Sequence, residues 1–284
     1  MSRPVDLQQG LPPRAPVASG QAPARGSARS ESRHWIGPGA LRLLCLVLVL
    51  LAWEFAPRLG WVPPVMLAPL SATLAAGVAH SGMFASNVGY TLFEMALALA
   101  LMIVVGGLAG LVLGSVRVLR ETLLPLVSSV YAVPLVILYP VLTAWIGIGP
   151  ESKIAFGAIY GIFPMLLATA AGVQTVDRQF LLAARSMGAT RSQQIRHVIL
   201  PAAVPSVISG MRLGCAMTAI GVVIAEMMAA TAGIGFVITQ NRTMFQTANV
   251  YFGVLLVLVL AALLDLLLNR LQKLASHWYP NPKT

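Results

Sequence analysis

The chain has 284 residues, 57% hydrophobic and only 10% charged, against roughly 25% charged in an ordinary globular domain. That balance excludes a water-soluble domain of usual composition and points to a chain embedded in lipid. The formal net charge of +10 would fit a nucleic-acid binder only if Lys and Arg shared one solvated face, whereas here they stand between apolar runs and no nucleic-acid partner is expected.

Residues 1–34 are rich in Pro, Ala, Gly, Ser and Arg and poor in large apolar side chains, too little to offset the entropy of ordering them. They read as a disordered cytoplasmic tail. There is no apolar core near residue 10 with a small-x-small site after it, so a cleavable signal peptide is not expected and the first apolar run reads as an uncleaved helix. A helix needs about 20 mainly apolar residues to cross the roughly 30 Å hydrocarbon layer. Six stretches meet that need, over 41–56 (extending back toward Trp35), 91–114, 124–147, 154–175, 206–229 and 250–269. The expected fold is all-α and polytopic, with a transmembrane domain over 35–278 and a C-terminal tail over 279–284. Cys45 and Cys215 lie inside apolar runs and read as small hydrophobes, not as a disulfide framework.

Six crossings divide the Lys and Arg residues sixteen to three, the minority being Arg58, Lys153 and Arg242. By the positive-inside rule both termini are assigned to the cytoplasm. Pro125, Pro134 and Pro140 in the third stretch and Pro164 in the fourth remove backbone donors and predict ordinary kinks. Gly106, Gly110 and Gly114, and again Gly210 and Gly214, recur every fourth residue and predict close helix packing, within the chain or across a dimer.

Enzymatic signatures are missing. The four histidines are dispersed, no His-Glu-x-x-His helix occurs, and Lys153, Lys273 and Lys283 do not follow glycine as a phosphate-binding loop requires. No catalytic, metal or cofactor site is expected, and any ATP chemistry must come from another polypeptide. Few acids fall in the apolar stretches. Glu94 and Asp265 read as structural residues near the interfaces, while for Glu226, a possible functional intramembrane acid, the structural and functional readings stand level. The segment 233–244 is too polar to span and reads as a loop rather than an outer gate.

Residues 176–204 form the longest loop of the basic side. Asp177 can cap a first short helix, Gly188 can end it, and Thr190 with Gln193 forms a capping box for a second, which Pro201 is expected to stop. Leu182, Met187 and Ile195 offer apolar contacts beside Arg185, Arg191 and Arg196.

The run Leu182-Ala183-Ala184, three residues, Gly188, nine residues, then Val198-Ile199-Leu200-Pro201 resembles the EAA loop of the permeases of binding-protein-dependent ABC importers. Ala183, Ala184, Gly188, Leu200 and Pro201 match that pattern, while Leu182 replaces its glutamate and Val198 its isoleucine. Gly147-Ile148-Gly149 with Ser152-Lys153, and Ala225-Glu226-Met227 followed by Gly233-Ile234-Gly235, resemble the branch that serves sulfonates, taurine, nitrate and pyrimidine-type compounds. The resemblance runs from Trp35 to Trp278, although Glu94 stands where many members have arginine. It implies a type I importer permease of the bacterial inner membrane, acting as a homodimer with a solute path between the second to fifth helices of the two copies. It also implies a cytosolic ABC ATPase seated on the 176–204 loop and a periplasmic or surface solute-binding protein. A secondary carrier or channel is the competing reading, but it calls for coupling-ion residues near the midplane or an inverted repeat. A membrane-anchored assembly subunit is the third.

Overall fold

The computed structural model describes residues 38–276; the tails expected over 1–34 and 279–284 lie outside the described residues. Contacts divide the chain between Cys45 and Leu46, and the described part of the first unit is the apolar helix start Pro38–Cys45. The second unit, from Leu46 onward, holds the rest of that helix and every later one.

Helix α1 (Pro38–Arg58) is followed by the short α2 (Leu70–Ala79). Then comes a long span made of α3 (Ser81–Leu101), a π-wound turn (Met102–Gly106) and α4 (Gly107–Ser115). This span starts ten residues earlier than the hydropathy pattern predicts. Ser86 Oγ and Asn87 Nδ2, the polar groups that mask its start, donate back to the Met83 carbonyl at 2.9 and 2.8 Å. Glu94 therefore sits well inside the span instead of one turn from its end.

The third stretch is bent far more sharply than an ordinary kink. α5 (Arg117–Tyr131) and the pair formed by a 3-10 turn (Leu135–Ile137) with α6 (Leu138–Ile146) meet at 80°. Pro134 has no N–H to continue α5, and the residue before a proline is held out of the α conformation. Pro164, by contrast, lies inside the unbroken α7 (Pro150–Gln174). Five helices among the described residues are long and apolar enough to cross a membrane, and six if the bent pair is one span.

Next come α8 (Arg178–Ser186), α9 (Arg191–Gln194), a second π-wound turn (Ile195–Ile199) and α10 (Leu200–Met228). Pro201 does not stop the helix. It occupies the second position of α10, which continues directly from the π-wound turn before it. The segment expected as a loop is a helix, α11 (Ile234–Thr243), and α12 (Thr247–Ser276) closes the described chain.

Helix α7 is the hub, with half of its most apolar window buried against none for α1. Helix α4 lies on it so closely that a Cβ on Gly110 would come within 2.6 Å of the Leu166 carbonyl oxygen, and one on Gly114 within 2.8 Å of Val173 Cβ. Helix α10 approaches α7 through Gly214, whose Cβ would stand 3.0 Å from the Gly161 carbonyl oxygen. The glycine repeats thus pack helices within the chain. Met102, Met165 and Cys215 fill the space between these helices.

Candidate functional site

The 176–204 segment folds as a helical hairpin set by local chemistry. Asp177 accepts a hydrogen bond from the Gln179 amide at 2.8 Å and so caps α8. Gly188 adopts φ +80°, the left-handed turn that ends it. Thr190 Oγ1 accepts from the Gln193 amide at 3.4 Å while the Thr190 amide donates to Gln193 Oε1 at 2.8 Å, a reciprocal box that starts α9. The buried Gln194, which sequence inspection passes over, closes the turn by donating to the Ala189 carbonyl at 2.8 Å.

Ala183, Ala184, Met187 and Pro201 come together on a shallow groove of about 450 Å³, joined by Phe180 and His197, which sequence reasoning does not single out. Leu182 and Met187 are 59% and 82% exposed, Leu200 is exposed and Ile195 half-buried. Leu182, Gly188, Ile195 and Leu200 lie outside the groove lining, and nothing stands within 4 Å of a Cβ built on Gly188. Arg178, Arg185, Arg191 and Arg196 are exposed around it, and Asp177 is the segment's one acid. The hairpin is a cationic surface with an apolar crest.

A second constellation lies between α3, α7, α10 and α11. Lys153, Glu94 and Glu226 are each at most 3% exposed. Lys153 Nζ forms an ion pair with Glu94 Oε1 and donates to the Ala232 carbonyl at 3.0 Å. Lys153, left between the third and fourth stretches by their expected bounds, is therefore a buried residue of α7, and Glu94 is a buried partner and not an interfacial acid. Asp265, the other acid read as structural, pairs with Arg212 on the surface at 2.7 Å.

Glu226 works on a helix terminus. Its Oε1 accepts from the Thr91 hydroxyl at 2.7 Å and its Oε2 from the Gly235 amide at 2.8 Å. The Ile234 amide donates to Thr91 Oγ1 at 2.9 Å and the Gly233 amide to Asn87 Oδ1 at 2.8 Å. The first amides of a helix have no partner within it, and here three consecutive ones are taken by side chains of α3 and α10. Gly233, at φ +113°, admits no side chain, since a Cβ would fall 2.1 Å from Glu226 Oε1. Tyr139 adds a bond from its hydroxyl to the Ala229 carbonyl at 2.8 Å. The cluster holds α11 in place, and among the described residues no group of His, Cys, Asp and Glu could hold a metal.

The sequence pattern of the binding-protein-dependent transport system inner membrane component family matches residues 102–278, more than half the chain. The chain is 30% identical over 241 residues to the taurine transport system permease protein TauC of Escherichia coli, covering 82% of this chain and 88% of that one. It is 28% identical over 239 residues to the putative aliphatic sulfonates transport permease protein SsuC of Bacillus subtilis, covering 83% and 86%. In fold it is similar to a chain of the inward-facing MetNI methionine ABC transporter, with a TM-score of 0.58 and 21% identity over 68% of this chain and 96% of that one. With its apolar spans, these matches make it a multi-pass inner-membrane transport protein and not an enzyme. The chain belongs to the family of binding-protein-dependent transport system inner membrane components, and is an ABC importer permease of the sulfonate and taurine branch.

Proposed function

We propose that this permease forms the solute path of a homodimeric importer and couples it to a separate cytosolic ATPase through the 176–204 hairpin, with both termini on the ATPase side. The observation that carries the reading is the hairpin itself: two capped helices exposing Leu182 and Met187 amid four arginines, on a π-wound turn that runs directly into α10. A push on α9 is thereby delivered to a helix that packs along α7. ATP-driven closure of the ATPase pair would move the hairpins and switch the bundle between two packed arrangements. A solute-binding protein on the opposite side would deliver the cargo. The cargo class is a small organic anion, with sulfonates first, because TauC and SsuC are named for taurine and aliphatic sulfonates. Within the proposed domain layout, 35–278 is the permease and the tails lie outside it.

The test is capture of the host's ATPase subunit by the tagged, detergent-solubilised permease, comparing wild type with Leu182→Asp and Met187→Asp. Both side chains are exposed, so the variants fold. Wild type retains the ATPase and supports ATP-dependent taurine uptake in vesicles that also contain the binding protein, whereas the variants lose both. Retention of ATPase and uptake by both variants at the wild-type level refutes the coupling role, and uptake without ATP moves the secondary-carrier reading to the front.

A further inference from the structure

Two acids and one lysine are enclosed at the start of α11, and their charges and hydrogen bonds do not balance unless one acid keeps its proton. Glu94, Glu226 and Lys153 are each at most 3% exposed. Lys153 Nζ serves Glu94 Oε1 and the Ala232 carbonyl, while Glu226 accepts from Thr91 at Oε1 and from Gly235 at Oε2. That leaves Glu94 Oε2, which is buried and reached by no donor among the described residues. The Glu94 carboxyl is instead in side-chain hydrogen-bonding contact with that of Glu226.

Two carboxylates in contact away from water repel each other, and one proton held between them removes the repulsion. It also supplies the missing donor, and it leaves a single negative charge for Lys153 to balance. No other cation is placed to balance a second one. On the elements packed round the pair, Glu151 of α7 is acidic and exposed, and Tyr139 of α6 gives its hydroxyl to the Ala229 carbonyl. Arg212 of α10 is paired with Asp265, and Arg242 near the end of α11 is exposed. We propose that Glu94 and Glu226 share one bound proton, which belongs to the pair and not to either residue, and that this proton is part of the seat of α11. Residues 232–235 all hang on the cluster, through Lys153, Asn87, Thr91 and Glu226 in turn. Losing the proton sets two like charges against each other beneath the first turn of α11 and loosens it.

Infrared spectra of the full permease in detergent at neutral pH test the shared proton. Wild type should show the carbonyl stretch of a protonated carboxylic acid, shifted in D2O. Glu94→Gln and Glu226→Gln should each abolish it, because the remaining carboxyl near Lys153 has no like charge beside it and stays ionised. No such band in wild type overturns the proposal, and so does a band that survives in either variant. Where a glutamine variant does not fold, Glu94→Asp or Glu226→Asp takes its place and should shift the band; an unmoved band overturns the assignment. Amide exchange tests the link to α11. Relative to amides of α8, exchange at Ile234 and Gly235 should rise about tenfold or more when wild type passes from neutral to alkaline pH. In Glu94→Gln, whose amide donates to Glu226 with no proton to lose, that ratio should stay flat. A flat ratio in wild type, or an equal rise in both proteins, refutes the link. Both readouts are taken on the permease alone, so neither depends on ATPase capture or uptake.

Discussion

Lys153 at the start of α7 and Glu94 on α3 form a buried ion pair that ties the hub helix to the long second span. Removing one member strands the other charge out of water, which costs about 3–5 kcal/mol, whereas replacing both with apolar or neutral groups is often nearly neutral. Lys153→Met should therefore lower the thermal unfolding midpoint of the detergent-solubilised protein sharply, and Glu94→Gln added to it should recover most of the loss. A double variant as unstable as the sum of its singles would show that the two side chains act separately.

Thr91 stands between Glu226 and the Ile234 amide, donating to one and accepting from the other. Thr91→Val keeps the shape and removes both bonds, which at about 1–3 kcal/mol for a stranded buried group should raise amide exchange at the start of α11 by about tenfold or more. Exchange in α8 and α9 should stay unchanged. Equal protection at Ile234 and Gly235 in both proteins would mean that the three captured amides do not hold α11.

Gly107 and Gly110 lie about one turn apart on α4 but differ in packing. A Cβ at Gly110 meets backbone at 2.6 Å, whereas one at Gly107 meets the end of Met165 at 3.4 Å, an ordinary contact. Gly110→Val should cost about 1–3 kcal/mol or more as an overpacked contact, and Gly107→Ala should fold like wild type. The check is thermal stability of the two variants side by side.

Thr190→Ala removes the hydroxyl that starts α9, a loss of about 1 kcal/mol. Exchange of the Gln193 and Gln194 amides should rise while the spans stay as protected as before. Because the hairpin lies outside the spans, the variant should still insert in the membrane.

How much of this molecule the sequence discloses depends on the range of each signal. Asp177, Gly188, Thr190 and Gln193 act on neighbours within a few residues, so the hairpin is readable from spacing alone. The glycine repeats are readable because one helix face returns every fourth residue. Lys153, Glu94 and Glu226 lie on three separate helices and no spacing joins them, so an acid deep in a span is indistinguishable from one at an interface. Hydropathy measures how apolar a stretch is and carries no direction, which is why residues 124–147 read as one span although the chain turns through 80° within them. Pro201 misleads for a related reason: the turn before it is π-wound, and spacing does not show that the helix runs on through the proline.

The π-wound turn Met102–Gly106 is a place where the second span carries one residue more than a regular helix would. Each residue advances an α-helix by about 100°, so the turn sets the phase between Glu94 before it and Gly110 and Gly114 after it. Val104 and Val105 are exposed and should accept many substitutions. Deleting either one would close the wide turn into regular helix and leave the glycine face on α7 and Glu94 on Lys153, whereas one further residue inserted there would swing that face by about 100°. The turn is thus the one place in the span where a residue can be lost without turning one half against the other.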